Sequence, residues 1–266
     1  MGIVNVTPDS FSDGGAHDTT AAAVEHALQL AADGADILDI GGESTRPGAT
    51  PVPLDEELRR VVRVVHELAK RTNIPISIDT MKAEVARQCL DAGACIVNDV
   101  TALRGDAAMP GVILKHRPGV VLMHMQGDPT TMQLDPQYTH ITAEVAGFFR
   151  ERIDALCAAG VERNTLCLDP GIGFGKRFGH TMQQLRELNA LQSLGLPVCL
   201  GVSRKGFLGQ VTGRDRTQRS VSSVAVASFA MAQGAAQILR VHDVAATRDA
   251  VLLWQAIQRT APEDAR

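Results

Sequence analysis

Short apolar runs alternate with longer amphipathic stretches eight times along the chain. The apolar runs are rich in Val, Ile and Leu and are nearly continuous, which is typical of strands buried on both faces. The predicted strands cover residues 2–5, 37–39, 76–79, 96–99, 120–124, 166–169, 198–203 and 238–242. A strand that regularly precedes a helix indicates an α/β protein with a parallel sheet.

The stretches between the strands have the apolar spacing of helices. The predicted helices cover residues 19–33, 55–71, 82–91, 107–115, 139–159, 182–194, 218–233 and 244–259. In the second helix one apolar stripe contains Leu58, Val61, Val62, Val65, Leu68 and Ala69. A glycine follows several of these helices shortly before the next strand, at Gly34, Gly93, Gly160, Gly195 and Gly234, which is the usual stop signal of a helix.

Eight strand–helix units predict a closed (β/α)8 TIM barrel, formed as a single domain by residues 1–266. The rival is an open, doubly wound sheet, which usually has fewer units. The glycine-rich segment 169–176 does not support an open sheet that binds a dinucleotide, because the dinucleotide fingerprint needs a glycine where Lys176 or Phe178 stands. A phosphate-binding P-loop is excluded as well, because Pro170 and Arg177 occupy two of its required positions.

Composition narrows the classes of protein. The chain has 266 residues, of which 45% are hydrophobic and 21% charged, as in ordinary globular proteins. A net charge of -4 gives no basic surface for nucleic acid. No apolar run has the roughly 18–20 residues that span a bilayer, so we expect no membrane partner. The five cysteines form no C-x-x-C pair, which indicates reduced thiols in a cytoplasmic protein.

Every predicted strand ends in a polar or ionisable residue. The residues at or next to these ends are Asn5, Asp39, Asp79, Asn98, Asp99, His124, Asp169, Ser203, Lys205, Arg240 and His242. Helix capping explains any single aspartate, and for Asp39 and Asp99 capping and a role in a site are equally open. Capping does not explain all eight ends, and the carboxyl ends of barrel strands face the active site. We therefore expect these side chains to share a ligand.

The polar residues are also sorted by type. Asp79, Asn98 and Asp169 are rich in acceptors and suit a flat heterocycle with several N–H groups. The cationic or donor-rich residues suit an anion such as diphosphate, and they are Arg46, Lys205, Arg240 and His242. For Arg46 a solvated loop arginine is the alternative. Two long connections, near residues 6–18 and 41–54, are typical of functional loops.

The motifs at these positions resemble those of the dihydropteroate synthase family, which binds pterins. The resemblance covers nearly the whole chain in order, in residues 1–15, 39–48, 77–80, 98–100, 123–127, 169–176, 203–209 and 240–244. It implies condensation of 6-hydroxymethyl-7,8-dihydropterin diphosphate with p-aminobenzoate, giving 7,8-dihydropteroate and diphosphate in folate biosynthesis. A segment that precedes the first strand in family members is missing here, so we expect a less covered barrel bottom.

The resemblance also implies roles for individual residues. The pterin would be held by Asp79, Asn98, Asp169 and Lys205. The diphosphate would be held by Asn5, Arg46, Arg240 and His242, with Asn5 also a ligand of Mg²⁺. The p-aminobenzoate pocket would contain Phe11, Thr45, Pro47, Phe174 and Ser203, although for Phe174 a packing role is as open as a ligand role. The catalytic residues would be Lys205, Asp13 and Arg46, with Asp13 stabilising a cationic intermediate after SN1-like loss of diphosphate.

Two other classes stay open at this stage. One is the pterin-binding barrel of a methyltransferase, and the other is a pterin-binding protein without catalysis. The segments 203–205 and 45–47 argue against the first, because that module has no diphosphate or p-aminobenzoate to bind. The intact anion-binding residues argue against the second. The resemblance further implies a homodimer that forms through the late helices.

Overall fold

The computed structural model describes residues 1–7, 16–45 and 48–259, and the side chains in these ranges except at residues 16–19. Its parallel strands are β1 (Gly2–Asn5), β2 (Leu38–Gly41), β3 (Ile76–Asp79), β4 (Ile96–Asp99), β5 (Gly119–Met123), β6 (Leu166–Asp169), β7 (Cys199–Gly201) and β8 (Ile238–Arg240). All eight predicted strands are confirmed. The last two are shorter than predicted, because residues 202–203 and 241–242 already belong to the loops that follow.

The strands form a closed barrel. Neighbouring strands pair in parallel from β1 to β6, and β7 pairs with β8. A bridge between Leu168 and Val198 joins β6 to β7, and a bridge between Gly2 and Val241 joins β8 to β1. At the second junction the Ile3 amide donates to the Val241 carbonyl at 3.0 Å. No strand edge is left open at these junctions, so the prediction of a (β/α)8 barrel is confirmed and the open sheet is excluded.

Helices surround the barrel. They are α1 (Ala16–Ala32), α2 (Leu54–Arg71), α3 (Ala83–Asp91), α4 (Met109–His116), α5 (Ile141–Ala158), α6 (Phe178–Arg186), α7 (Gly206–Thr212), α8 (Ser220–Ala232) and α9 (Val244–Arg259). The short helix α7 was not predicted. The continuous helix predicted over 182–194 is wrong, because Glu187 leaves helical geometry at φ -103° and ψ 15° and a 3₁₀ turn, Leu188–Leu194, follows.

Helix α2 shows why these elements form. Its first turn contains Asp55, Glu56 and Glu57 and its last turn Lys70 and Arg71, which complements the helix dipole. One face packs on the strands through four side chains with no exposed surface, Val61, Val64, Val65 and Leu68. Each such burial stabilises the fold by about 1.5–3 kcal/mol. The main core therefore lies between the outward faces of the strands and the helices.

The side chains that point into the barrel form a separate, smaller cluster near its bottom. We call this cluster the lower layer; its buried members are Met1, Val121, Cys167 and Cys199, with Ile37, Ile96 and Ile238 packed against them. These residues come from strands on all sides, and they meet only because the barrel is closed. The lower layer fills the bottom of the barrel with apolar side chains.

A cavity of about 560 Å³ lies outside this layer at the bottom of the barrel. Residues that precede strands line it, such as Asp36, Ile37 and Gln237, together with Val251 and Trp254 of α9. This cavity is at the opposite end of the barrel from the polar strand ends. Among the helices of the described residues, none is both long and apolar enough to cross a membrane.

Candidate active site

A polar layer lies directly above the lower layer inside the barrel. Side chains alternate along a strand, so residues two positions after the lower layer also point inward. The polar side chains at this level are Asp39, Asp79, Asn98, Asp169 and Arg240, and we call these five residues the upper layer; the apolar Ile3 and Met123 lie at the same level. Gly201 also belongs to this level, and a Cβ there would lie 3.8 Å from Asp169 Oδ2 and 4.0 Å from Lys205 Nζ. The missing side chain leaves room for a ligand beside these groups.

Arg240 ties the upper layer together across the barrel. Its Nε donates to Asp39 Oδ2 at 2.6 Å, and its Nη2 donates to Asp79 Oδ2 at 2.5 Å. Asn98 Nδ2 also donates to Asp39 Oδ2, at 3.2 Å. Asp39 is fully buried, and its Oδ1 has no hydrogen-bond partner within the described part of the chain. One guanidinium thus faces two carboxylates, which leaves acceptors for the N–H groups of a ligand.

Burial sets the electrostatics of these groups. It raises the pKa of Asp79 to about 7, against the opposing effect of Arg240. Burial also lowers the pKa of Arg240, but the charges of Asp39 and Asp79 outweigh this and leave the pKa raised. Burial raises the pKa of Asp169, and the nearby Lys205 charge lowers it. Ligand N–H groups would stabilise the charged carboxylates that the empty site destabilises.

Lys205 lies at the rim of the upper layer. Its Nζ donates to the carbonyl of Ile172 and stands 4.7 Å from the centre of the Phe174 ring. Burial lowers the pKa of Lys205 to about 8, although the Asp169 charge raises it. Asp169 is oriented by the Gly171 amide, which donates to its Oδ1 at 2.7 Å. A cation, a carboxylate and an aromatic ring therefore meet at one point, which suits a flat polar ligand.

The glycine-rich loop after β6 is held in place by Lys176, which is 4% exposed. Lys176 Nζ donates to the carbonyls of Gly171 and Phe174, both at 2.9 Å, and lies 3.1 Å from His124 Nδ1. Gly171 has φ +63°, and a Cβ there would be 1.9 Å from the His124 carbonyl oxygen, so only glycine fits. Burial lowers the pKa of His124 to about 2, so this histidine supports the loop as a neutral ring.

Ser203 and His242 form a pair on the neighbouring side of the rim. The His242 amide donates to Ser203 Oγ at 3.1 Å, and Nδ1 of its ring lies 3.0 Å from the same oxygen. Burial lowers the pKa of His242 to about 3, and the charges of Arg204 and Arg240 act in the same direction. A neutral His242 ring still has one N–H donor, so it remains one of the donor-rich residues.

The structure brings most of the predicted site residues together. Asp79, Asn98, Asp169 and Arg240 share the upper layer, and Lys205, Phe174, Ser203 and His242 lie at its rim. Arg240 lies among the acceptors, so the predicted separation of acceptor and donor residues is incomplete. Asn5 ends β1 opposite Gly41, and Thr45 is partly exposed in the loop after β2. The predicted residues Phe11, Asp13, Arg46 and Pro47 lie outside the described residues.

Two aspartates that were equivalent in the sequence separate in the structure. Asp39 faces Arg240 and Asn98 inside the barrel. Asp99 instead accepts from the Thr101 amide at 2.7 Å and from the Leu103 amide at 3.0 Å, so it stabilises the turn after β4 and does not cap a helix. Sequence reasoning missed the clamping role of Lys176. The available signal was a lysine directly after three closely spaced glycines, which require fixed contacts to hold one conformation.

Comparisons with known proteins agree with this geometry. A family model described as pterin binding enzyme matches residues 1–242. Dihydropteroate synthase of Escherichia coli K12 is 45% identical over 256 residues, covering 96% of this chain and 90% of the relative. The structure of Xanthomonas albilineans dihydropteroate synthase with 4-aminobenzoic acid is 52% identical, with a TM-score of 0.93 over 98% of this chain and 93% of that one. The same enzyme with 7,8-dihydropteroate gives 48% identity and a TM-score of 0.89, covering 98% of this chain and 94% of that chain.

The closed barrel and the buried acceptors of its upper layer are the features expected of a pterin-binding protein. The chain belongs to the family of pterin binding enzymes. Within that family its relatives are dihydropteroate synthases, and the match to them extends over nearly the full length of both chains.

Proposed function

We infer that this chain has dihydropteroate synthase activity. It condenses 6-hydroxymethyl-7,8-dihydropterin diphosphate with p-aminobenzoate, forms a C–N bond and releases diphosphate, which is a transferase step of folate biosynthesis. The observation that carries this inference is the upper layer, in which buried carboxylates and an amide lie together beside Gly201, a residue with no side chain next to Asp169 and Lys205. The names and ligands of the relatives support the same reaction.

We propose that the pterin head binds in the upper layer. Asp79, Asn98 and Asp169 accept or exchange hydrogen bonds with its N–H groups, and Lys205 donates to its carbonyl oxygen and ring nitrogen. The orientation of Asp169 by the Gly171 amide at 2.7 Å supports this role, because it leaves the second oxygen free to face the ligand. The ligand would take over some of the stabilisation that Arg240 gives Asp79 in the empty site.

We propose that the diphosphate binds above the pterin site, at Asn5, Arg46, Arg240 and His242. The neutral His242 offers the N–H group of its ring, and the guanidinium groups offer charge. The side-chain oxygen of Asn5 is a hard ligand at the partly exposed end of β1, which fits a Mg²⁺ that keeps most of its waters. When bound, Mg²⁺ would neutralise charge on the departing diphosphate.

The proposed path is an SN1-like loss of diphosphate. The methylene that remains is a cation delocalised into the electron-rich pterin, so no covalent bond to the protein is needed. Arg46 and Lys205 stabilise the separating charges, and Asp13 stabilises the cation. The amine of p-aminobenzoate then attacks the methylene carbon, and the nitrogen loses its proton. The enclosed upper layer limits competition by water.

We propose that the p-aminobenzoate pocket lies between the rim and the two long loops, at Phe11, Thr45, Pro47, Phe174 and Ser203. The contact of Lys205 with the Phe174 ring at 4.7 Å supports a pocket with an aromatic wall and a cationic end. A flat ring with a carboxylate matches both features.

We further propose that the protein is a cytoplasmic homodimer. Helices α8 and α9 carry exposed apolar side chains, and these are Val221, Phe229, Leu252, Leu253 and Ile257. A second copy of the chain would cover such a surface. All five cysteines are free thiols, which agrees with a reducing compartment.

A diphosphate-release assay tests the function. The wild-type chain with Mg²⁺ should release diphosphate from the pterin substrate in an amount equal to the dihydropteroate formed, and only when p-aminobenzoate is present. A methyltransferase barrel or a silent pterin-binding protein would bind a pterin without forming dihydropteroate. Binding without product would therefore contradict the proposed activity.

A further inference from the structure

A second buried ionic cluster lies beside the upper layer and has no part in the proposed chemistry. Lys82, just before α3, places its Nζ at 2.5 Å from Glu43 Oε2 and 2.5 Å from Glu57 Oε2. The side chain of Glu57 has no exposed surface, and that of Glu43 is 7% exposed. A buried ion pair is weak evidence for stability, because desolvation opposes the attraction of the charges. Stability therefore does not explain why this cluster lies beside the upper layer.

One arm of the cluster closes the base of the loop that contains Thr45. Glu43 lies at the start of this loop, and its Oε1 accepts from the amide of Val52 at 2.9 Å, near the end of the loop. The carbonyl of Gly42 accepts from Arg60 Nη1 of α2 at 2.8 Å. Glu43 thus joins the two ends of the loop, while Lys82 fixes the position of Glu43. Thr45 is two residues after Glu43, so the contacts of Glu43 restrain its position.

The other arm reaches the strand ends of the upper layer. Glu57 Oε1 accepts from Thr80 Oγ1 at 2.7 Å, and Thr80 directly follows Asp79. The Thr80 amide donates to the carbonyl of Asn98 at 3.1 Å. The Lys82 amide donates to Thr80 Oγ1 at 3.2 Å. A continuous set of hydrogen bonds therefore links the backbone at Asp79 and Asn98 to the base of the loop.

We propose that Lys82 is a positioning residue for p-aminobenzoate, which acts through Glu43 on the loop that contains Thr45. This inference rests on the proposed function, because that function gives p-aminobenzoate to this loop. The two ends of the loop stay together as long as Glu43 accepts the hydrogen bond from the Val52 amide. Lys82 keeps Glu43 in the orientation that makes this hydrogen bond. Lys82 itself does not touch the substrate.

The decisive variant is Lys82→Met, which keeps the length of the side chain and removes its charge. We expect the KM for p-aminobenzoate to rise by about tenfold or more. The KM for the pterin diphosphate should rise as well, because Arg46 of the same loop is assigned to the diphosphate. The dissociation constant of a pterin without diphosphate, measured by calorimetry, should change by less than about twofold. The peptide covering residues 43–53 should exchange its amide hydrogens faster, because the Val52 amide loses its oriented acceptor. Lys82→Arg keeps the charge and should restore most of the p-aminobenzoate affinity.

Lys70→Met is the matched control, because it removes an exposed lysine that pairs with Glu67 at 3.4 Å on α2. It should behave as the wild type in both KM values and in exchange. Glu43→Gln is the second test variant and places an amide donor against Lys82. It should raise the same KM values and the same exchange rate, and it decides the question if Lys82→Met does not fold.

An unchanged KM for p-aminobenzoate in a folded Lys82→Met or Glu43→Gln variant would overturn the proposal. So would an equal weakening of p-aminobenzoate and of the diphosphate-free pterin together with a lower melting temperature, because that pattern indicates general destabilisation. An inactive wild-type chain would contradict the proposed function instead, and the exchange of residues 43–53 would then still report whether Lys82 holds the loop.

Discussion

The two layers inside the barrel are built by the same strands but have opposite chemistry. The lower layer contains apolar residues such as Cys167 and Ile238, while two residues further along the same strands the upper layer contains Asp169 and Arg240. The lower layer is typical of a packed core. The upper layer contains buried charges and an Asp39 oxygen that has no hydrogen-bond partner among the described residues, and both cost free energy in the empty protein. The difference indicates that the lower layer serves the fold and the upper layer serves the ligand.

The largest expected effect is on pterin binding in Asp169→Asn. The amide keeps one acceptor for the Gly171 amide but turns a donor toward the N–H groups of the pterin. We expect about 100-fold weaker binding, which corresponds to about 2.7 kcal/mol and lies near the upper end of the roughly 1–3 kcal/mol that an unpaired buried group costs. Calorimetric titration with a pterin measures this effect.

The thermal stability of Asp169→Asn should not fall together with its pterin affinity. Burial raises the pKa of Asp169, so the charged carboxylate destabilises the fold at neutral pH and an uncharged amide does not. The melting temperature of Asp169→Asn should therefore be no lower than that of the wild type. Unchanged pterin affinity, or loss of the fold, would remove the distinction between the layers.

Lys205→Ala should reduce kcat/KM by about 10–150-fold while the fold stays intact. The expectation follows from about 1.5–3 kcal/mol for a hydrogen bond to a charged group. Steady-state kinetics and circular dichroism measure the two parts. Lys115→Ala removes an exposed lysine of α4 and is the matched control. A folded Lys205→Ala variant with wild-type activity would show that this lysine has no role in the reaction.

Activity should also depend on pH in a definite direction. The pKa of Lys205 is lowered to about 8, so Lys205 is charged below this pH and loses its proton above it. We expect kcat/KM to fall by up to about tenfold per pH unit above pH 8. A flat profile from pH 7 to 10 would contradict the role of Lys205.

In acid, pterin affinity should fall, because the raised pKa values of Asp79 and Asp169 let both carboxyls take up protons.

A substitution in the lower layer should lower the stability of the fold and leave pterin affinity unchanged. Val121→Ala removes two carbon atoms from a side chain that is 2% exposed. We expect the free energy of unfolding to fall by roughly 2 kcal/mol, as the sum of lost burial and a small cavity. Denaturant unfolding measures this loss. Pterin affinity should stay within about twofold of the wild type, and a larger change would mean that the two layers are not independent.

The smallest expected effect concerns sulfonamides in Val121→Ala. These compounds resemble p-aminobenzoate in their arylamine and anionic end, so they should inhibit in competition with it. Their inhibition constant should differ by less than about twofold between Val121→Ala and the wild type, because the change lies below the site. Inhibition kinetics at several p-aminobenzoate concentrations provide both results. Inhibition that added p-aminobenzoate does not relieve would argue against a shared pocket.

The strands and their polar ends could be predicted because the signals are local. An apolar run that ends in Asp79 or Asp169 contains both the buried strand and the residue at its end. The short helix α7 was missed because it has only seven residues, two of them glycine. The break at Glu187 has no proline or glycine to announce it. These features depend on how the chain packs against the barrel.

The site was only partly predictable for a related reason. Asp39 and Asp99 both end a predicted strand, and only the side chains across the barrel decide that Asp39 faces Arg240. The neutral state of His242 follows from burial and from two neighbouring arginines, which the sequence does not locate. Lys176 and Lys82 hold loops through partners that lie between 2 and 52 residues away, and the distant pairings appear only in the folded chain.

A crystal structure of the protein with a bound pterin tests the division of the barrel most directly. The account predicts the pterin ring inside the upper layer, with hydrogen bonds to Asp79, Asn98 and Asp169 and with Lys205 at its carbonyl oxygen. The residues of the lower layer should keep their positions. A pterin bound instead in the cavity of about 560 Å³ at the bottom of the barrel would contradict the account.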